Sequence, residues 1–111
     1  MSWFIKTEKF NNKAVVLSSR QRTKFISEHV SWVKKLSLSG VKIASGYLVN
    51  KDQHPGGGGL LILEADGYEK AKKLILQDPM IKNELVDWNL QEWLPVYGEL
   101  VVANSTLGEL A

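Results

Sequence analysis

The sequence predicts an α+β domain with an antiparallel four-stranded sheet and helices on one face. Residues 19–39 repeat apolar side chains with helical spacing, and residues 60–65 form a short apolar run typical of a buried strand. In residues 86–91 polar side chains alternate with the apolar Val86, Trp88 and Leu90. With two further strands and one further helix the order is β-α-β-β-α-β, which is the ferredoxin-like plan.

The first strand and helix account for the N-terminal third of the chain. Residues 3–6 predict a short strand by their β-propensity, and residues 7–13 are polar and predict a loop. Ser18 and Gln21 have the spacing of a capping box, so a helix is expected over residues 19–39. Gly40 follows where a helix commonly ends in a left-handed conformation.

The apolar face of this helix contains a histidine. At about 100° per residue, His29 lies about 40° from Phe25, and Trp32, Val33 and Leu36 flank it on the same arc. Ile26 and Val30 extend the arc. We therefore expect His29 to point into the protein rather than into bulk water.

Two strands and a glycine-rich connection come next. Residues 41–49 predict a strand with an irregularity at Gly46, and residues 50–59 are rich in turn formers. Glycines 56–59 are not followed by Lys-Ser/Thr, and they lead into a strand rather than a helix. A flexible hairpin or lid is therefore favoured over a phosphate-binding loop.

A second helix is predicted after residue 65, and its apolar face comprises Tyr68, Ala71, Leu74 and Ile75. Asp66 is the expected N-cap. The helix ends at Asp78-Pro79, because proline cannot continue it. One more helical turn within residues 80–85 precedes the last strand, and residues 98–111 lose the pattern. We therefore assign one domain to residues 1–97 and a C-terminal tail to residues 98–111.

Composition excludes several classes of protein. The 111 residues suit one domain, with 44% hydrophobic and 23% charged residues. The absence of cysteine excludes disulfides, thiolate zinc sites, iron–sulfur clusters and a cysteine nucleophile. No apolar run reaches the roughly 18 residues of a membrane span, and the N-terminus does not resemble a signal peptide. We expect a cytoplasmic protein with no membrane partner.

The charge is unevenly distributed. Residues 1–51 carry ten basic and two acidic side chains, and residues 52–111 carry four basic and ten acidic ones. This indicates either a basic surface for an anion or nucleic acid, or halves that complement each other within the fold or between subunits. The basic residues are scattered, and the third strand lacks the aromatic pattern of an RNA-binding sheet, so no nucleic-acid partner is expected.

The sheet face that carries no helix is predicted to be covered by another molecule. Four aromatic residues lie in or near the strands, namely Trp3, Tyr47, Trp88 and Trp93. Exposed apolar patches of this kind mark interfaces, and a two-fold symmetric contact would bury the patch on both copies. We therefore predict a homodimer.

Two interpretations of His29 remain open at this point. It is either a core histidine with a satisfied hydrogen bond or a general acid–base that needs a partner to orient its ring. Asp78 is the candidate partner, although Asp before Pro is also a common helix cap. His54 lies in the polar loop and is expected in solvent. With only two histidines, neither a metal site nor another cofactor is predicted.

The chain resembles the YCII-related (YciI-like) family over roughly residues 3–97. Residues 28–36 look like the family's His-Leu-x-x-Leu helix, and residues 78–81 look like its Asp-Pro helix start. Gly40, the Ser45-Gly46 turn and residues 60–66 and 71–73 follow in the family's order. The resemblance implies the ferredoxin-like plan, a dimeric α+β barrel and a His–Asp pair with a suggested catalytic role. By motif, that pair is His29 and Asp78.

The sequence departs from the family at two places. The stretch 26–29 (Ile-Ser-Glu-His) lacks the arginine of the family's Arg-Pro-x-His, and Arg22 one turn earlier is a possible replacement. Ser45-Gly46-Tyr47 stands where Ala-Gly-Pro is common.

Two functions fit these observations. The first is a cofactor-free lyase or isomerase acting on a small organic acid or lactone, as relatives of the lactone dehydrohalogenase type do. His29 would move the proton, Asp78 would fix its tautomer, and Ser45, Gly46 and Tyr47 would shape the substrate pocket. The second is a non-catalytic module of the same fold that binds a small ligand or a partner.

Overall fold

The computed structural model describes residues 1–99 and has an α+β architecture with the ferredoxin-like plan. The predicted C-terminal tail comprises residues 98–111, and residues 100–111 of it lie outside the part of the chain that the structure describes. The described elements are, in chain order, β1 (Ser2–Phe10), α1 (Asn12–Val15), α2 (Ser19–Leu38), β2 (Ile43–Val49), β3 (Pro55–Ala65), α3 (Tyr68–Ile75), α4 (Pro79–Lys82) and β4 (Val86–Trp93).

The four strands form one antiparallel sheet in the order β2-β3-β1-β4. Lys6 of β1 is opposite Leu61 of β3 on one side and Leu90 of β4 on the other, and Ser45 of β2 is opposite Leu61. Directly opposed residues in a sheet point to the same face. Ser45, Leu61, Lys6 and Leu90 therefore form one row across the sheet, called here the helix-facing row.

The core lies between this face and the helices. Phe4 is two residues from Lys6 on the same face, and its ring contacts Tyr68 of α3 edge-on, with ring centroids 6.3 Å apart. The other fully buried members are mainly aliphatic, among them Leu61, Leu63, Ala71 and Ile75. The core side of α2 is made by Phe25, Trp32, Val33 and Leu36.

Both ends of helix α2 have the capping features that the sequence predicts. The Ser18 side chain accepts a hydrogen bond from the Gln21 N–H (3.1 Å), and the Gln21 side chain accepts one from the Ser18 N–H (2.9 Å). Gly40 has φ +101°, a backbone conformation that favours glycine. The buried face of α2 is narrower than the apolar arc that the sequence predicts around His29. Ile26 and Val30, at the far end of that arc, are 43% and 40% exposed.

Strand β1 is longer than predicted. Residues 7–10 continue the strand and residues 12–13 begin α1, although the sequence predicts a loop over residues 7–13. The reason is tertiary, because Glu8 and Lys9 pair with Gly59 and Gly58 of β3. Glycines 56–59 are correspondingly part of β3, in one arm of the antiparallel β2–β3 hairpin, so a hairpin is confirmed there and the alternative of a lid is wrong.

The predicted cap of the second helix is also wrong. Gly67, with φ +99°, occupies the N-cap position of α3, and the structure shows no side-chain cap there. Asp66 instead contacts Lys70, with 3.4 Å between the carboxylate and Nζ. Since glycine reaches positive φ without strain, the turn is made by the backbone rather than by a capping side chain.

The sheet face away from the helices, called here the open face, carries fewer aromatic residues than expected. Trp3 and Trp93 lie opposite each other on it, next to Ile5 and Ile62. Trp88 lies opposite Glu8, so it shares the face of Lys6, and it packs against the core. Counting Trp88 among the residues that need external cover was therefore wrong, whereas its predicted alternation with polar neighbours is confirmed.

Candidate functional site

His29 lies in the middle of α2, on the side of the helix that faces the sheet. Its side chain is 15% exposed, so the ring is largely enclosed but one part of it reaches the surface. The ring packs beside Trp32, with centroids 5.7 Å apart and the planes tilted by 44°. The helical spacing and the packing thus agree on the orientation of the imidazole.

Asp78 lies directly before α4, and its side chain is completely buried. Oδ1 accepts a hydrogen bond from the Met80 N–H at 2.9 Å, which makes Asp78 the N-cap of that helix. The same Oδ1 lies 2.9 Å from Nδ1 of His29. Asp78 therefore does both things that the sequence suggested, because it caps α4 and holds the imidazole.

A buried lysine completes the environment of this carboxylate. Lys6 is only 1% exposed, and its Nζ donates a hydrogen bond to Asp78 Oδ2 at 2.9 Å. Nζ also contacts the Glu8 carboxylate, two residues along β1. Burying a lysine is costly unless it is paired, so these two carboxylates explain its position.

The charge state of Asp78 follows from these contacts. Burial raises the pKa of its carboxyl, while the hydrogen bond from His29 and the positive charge of Lys6 lower it. The lowering effects prevail, so the pKa of Asp78 lies below its ordinary value. At neutral pH Asp78 is an ionised carboxylate and can only accept hydrogen bonds.

The carboxylate in turn fixes the tautomer of the neutral imidazole. Because Asp78 only accepts, Nδ1 of His29 must carry the proton, and Nε2 is then a hydrogen-bond acceptor. Nε2 lies 2.8 Å from the hydroxyl oxygen of Ser45, which is exposed on β2. The Ser45 hydroxyl therefore donates to His29, and the basic nitrogen is at the protein surface.

The three residues predicted to shape a pocket do not all approach His29. Ser45 contacts it directly. Tyr47 follows on the same face of β2 but is 71% exposed, and Gly46 between them belongs to the opposite face. In the single chain this region is an open surface, and the surface depressions found at residues 10–13 and 40–44 involve neither His29 nor Asp78.

Two other polar residues considered from the sequence are placed elsewhere. Arg22 donates hydrogen bonds to the carbonyl oxygens of Leu17 (2.8 Å) and Val15 (3.2 Å), so it holds the turn before α2 rather than replacing the absent arginine. His54 is exposed in the turn between β2 and β3, where its backbone N–H donates to the Asn50 side-chain oxygen.

Sequence reasoning missed Lys6 and Glu8. The predicted strand covered only residues 3–6, and no face of the sheet was assigned to the Lys6 side chain. With β1 continued to Phe10, the two-residue period places Lys6 and Glu8 on the buried face of Phe4. The available signal was this two-residue period, which places Lys6 and Glu8 on the same face as the apolar Phe4.

The fold and the site together define a class of protein, namely a ferredoxin-like α+β domain with a buried aspartate that orients a surface-reaching histidine. The family is shown by the sequence itself, because residues 2–93 match the YCII-related domain. The chain belongs to this family. No curated protein sequence matches it. No helix within residues 1–99 is long and apolar enough to cross a membrane.

Solved structures with the same fold are distant in sequence. One is the 5-chloro-2-hydroxyhydroquinone dehydrochlorinase TftG from Burkholderia phenoliruptrix AC1100 in complex with 2,5-dihydroxybenzoquinone, with TM-score 0.64 and 19% identity over 83% of this chain and 93% of that one. Another is the Arabidopsis thaliana protein At3g17210, with TM-score 0.50 and 13% identity over 90% and 100%. A third is an ethyl tert-butyl ether degradation (EthD) family protein from Bacillus halodurans, with TM-score 0.50 and 11% identity over 85% and 100%.

Proposed function

We propose that this protein is a cofactor-free enzyme of the lyase or isomerase type that moves a proton on a small organic acid or lactone. His29 is the general base, and Asp78 fixes its tautomer. The observation that carries the proposal is that a fully buried carboxylate holds Nδ1 while Nε2 faces an exposed residue. Because the hydroxyl at Nε2 belongs to an exposed residue, a substrate that displaces it can reach the ring nitrogen that Asp78 does not hold.

The contacts support a simple sequence of proton transfers. Nε2 takes a proton from a carbon next to the substrate carbonyl, and the imidazolium that forms is stabilised by the negative charge of Asp78. Return of the proton to another atom completes an isomerisation, and departure of a leaving group completes an elimination. Lys6 acts through Asp78 as a positioning residue, because its charge keeps the carboxylate ionised.

The remaining predicted residues bind the substrate in this proposal. When substrate displaces the Ser45 hydroxyl from Nε2, that hydroxyl becomes free to donate to a substrate oxygen. Tyr47 and the Gly46 backbone flank the same stretch of β2. The similarity in fold to TftG, a dehydrochlorinase by name, supports an elimination on grounds of analogy.

The proposal is tested with two histidine variants, His29→Gln and the control His54→Gln. Proton exchange or loss of a leaving group is followed with small lactones, 2-oxo acids and 5-chloro-2-hydroxyhydroquinone. We expect turnover of at least one probe to fall by about 10²–10⁴ in His29→Gln and to stay unchanged in His54→Gln. Equal turnover in His29→Gln and the wild type would refute the role of His29. Binding of a probe without turnover by the wild type would support the non-catalytic module instead.

We also propose that the protein forms a homodimer through its open face. On a single chain, Trp3, Ile5, Ile62 and Trp93 are only partly covered there, and burial of apolar surface is favourable by about 25 cal/mol per Å². Ile62→Lys would place a charge in the contact and is expected to yield monomers in sedimentation velocity, while Ser31→Lys on the exposed side of α2 leaves the dimer intact. A wild-type monomer at micromolar concentration would contradict this assembly.

A further inference from the structure

Ser45 makes a contact that proton transfer alone does not require. Its Oγ lies 2.8 Å from Nε2 of His29, and Nδ1 of that ring lies 2.9 Å from Asp78 Oδ1. We propose that Ser45 is a nucleophile activated by His29 and Asp78, and that the protein cleaves small esters or lactones by acyl transfer. His29 is the base in both reactions, so this inference rests on the proposed function.

The direction of the hydrogen bonds suits this role. A nucleophilic serine needs a base within hydrogen-bond reach, and the base must be oriented by a third group. Here the ionised, buried Asp78 requires the proton on Nδ1, so Nε2 is free to accept the Ser45 proton. The three side chains come from β2, α2 and the start of α4, so the arrangement depends on the tertiary fold.

The backbone of β2 offers a hydrogen-bond donor for the developing oxyanion. Strand β2 is an edge of the sheet, and Lys42 O accepts from Glu64 N at 2.9 Å. In an antiparallel ladder alternate residues point their N–H groups to the partner strand, which here are Ala44 and Gly46. The Ser45 N–H therefore points to the open edge, next to its own hydroxyl. A nucleophile's own amide is a known type of oxyanion donor.

The surroundings favour a small ester or lactone of modest polarity. Ser45 is exposed, so a carbonyl carbon can approach its hydroxyl from solvent. Tyr47, 71% exposed on the same face, offers an aromatic surface beside it. The positive charge of Lys6 is compensated by Asp78 and Glu8, so it does not select for an anionic substrate.

The reaction balances with water as the only co-reactant. Ser45 Oγ bonds to the carbonyl carbon as its proton moves to His29 Nε2, and the carbonyl π electrons move to the oxygen. Collapse of this intermediate breaks the ester C–O bond, and the leaving alkoxide takes the proton from His29. Water then gives its proton to Nε2 and attacks the acyl carbon, which releases the acid and restores the Ser45 hydroxyl.

The test uses p-nitrophenyl acetate with the wild type and the variants Ser45→Ala, His29→Gln and Ser31→Ala. Ser31 is an exposed serine of α2 and serves as the matched control. We expect a burst of p-nitrophenolate in the wild type and Ser31→Ala, with the acetyl group located on Ser45 by tandem mass spectrometry. Ser45→Ala and His29→Gln are expected to release p-nitrophenolate no faster than the urea-unfolded wild type.

A burst that is unchanged in Ser45→Ala, or an acetyl group found only on lysines or on His29, would overturn the inference. Loss of acylation in Ser45→Ala with acylation retained in Ser31→Ala supports the nucleophile. Ser45 also contacts the substrate in the proposed function, so proton transfer is judged with His29→Gln and its control His54→Gln rather than with Ser45→Ala. Retained acylation in Ser45→Ala refutes the nucleophile and leaves the role of His29 as a base to be judged by its own variant.

Discussion

Replacing Lys6 by methionine removes the cation that compensates Asp78 while keeping a side chain of similar length. The two charged groups lie 2.9 Å apart and are 1% and 0% exposed. At an effective dielectric constant of about 20, their gross attraction is about 6 kcal/mol, which offsets the cost of burying them. Removing one partner of a buried pair costs about 3–5 kcal/mol, because the other charge remains buried. We therefore expect the free energy of unfolding of Lys6→Met to be about 3–5 kcal/mol lower than that of the wild type at pH 7.

The loss is measured by urea denaturation and by thermal unfolding. At about 4 °C for each kcal/mol in a domain of this size, Tm should fall by roughly 12–20 °C. Lys34→Met on the exposed side of α2 is the control, and its effect on the free energy of unfolding should stay within about 0.5 kcal/mol. The double variant Lys6→Met/Asp78→Asn should recover part of the loss, since neither charge remains. If the free energy of unfolding falls by less than about 1 kcal/mol in Lys6→Met, or does not recover in the double variant, the Lys6–Asp78 ion pair does not stabilise the fold as described.

Three further predictions concern the capping box, the helix end and acid stability. Ser18→Ala should lower the free energy of unfolding by about 1 kcal/mol in urea denaturation, since the Gln21 N–H loses its acceptor. Gly40→Ala should cost about 1–2 kcal/mol, because φ +101° is strained for alanine, although no atom lies within 4 Å of the new Cβ. The pKa of Asp78 is lower in the folded than in the unfolded protein, so its ionisation stabilises the fold above about pH 4, and this contribution is lost as the pH falls through the lower folded value. Stability measured from pH 7 downward should therefore fall less steeply in Asp78→Asn, which retains a capping side chain; an unchanged slope would contradict the prediction.

The parts of the fold that local physics dictates could be predicted from the sequence. The Ser18–Gln21 box and Gly40 define the ends of α2 through contacts within a few residues, and the helical period alone orients His29. The Asp78-Pro79 pair identifies a helix start by the same kind of local chemistry. These features need no knowledge of distant partners.

The features that the sequence did not predict depend on strand pairing. Glycines 58 and 59 have low β-propensity, and they belong to β3 because β1 pairs with them. The same pairing extends β1 to Phe10, and Lys6 is buried on the face of Phe4, where a charged residue is not expected from its polarity. The placement of the candidate site residues was therefore predicted in part: those of His29 and Asp78 follow from local signals, whereas the burial of Lys6 and the direct contact of Ser45 follow from the register of the sheet.

Nitrogen-15 nuclear magnetic resonance of the labelled imidazoles tests most directly whether Asp78 directs the basic nitrogen of His29 to the surface. For the neutral ring we expect the proton on Nδ1 and an unprotonated Nε2, the less common tautomer of histidine in water. His54, exposed in its turn, should show the usual mixture. The Asp78→Asn variant should lose the strong preference for the Nδ1–H form at His29. A neutral His29 that carries its proton on Nε2 in the wild type would contradict the proposed base, because that nitrogen could then accept no proton from Ser45 or from a substrate.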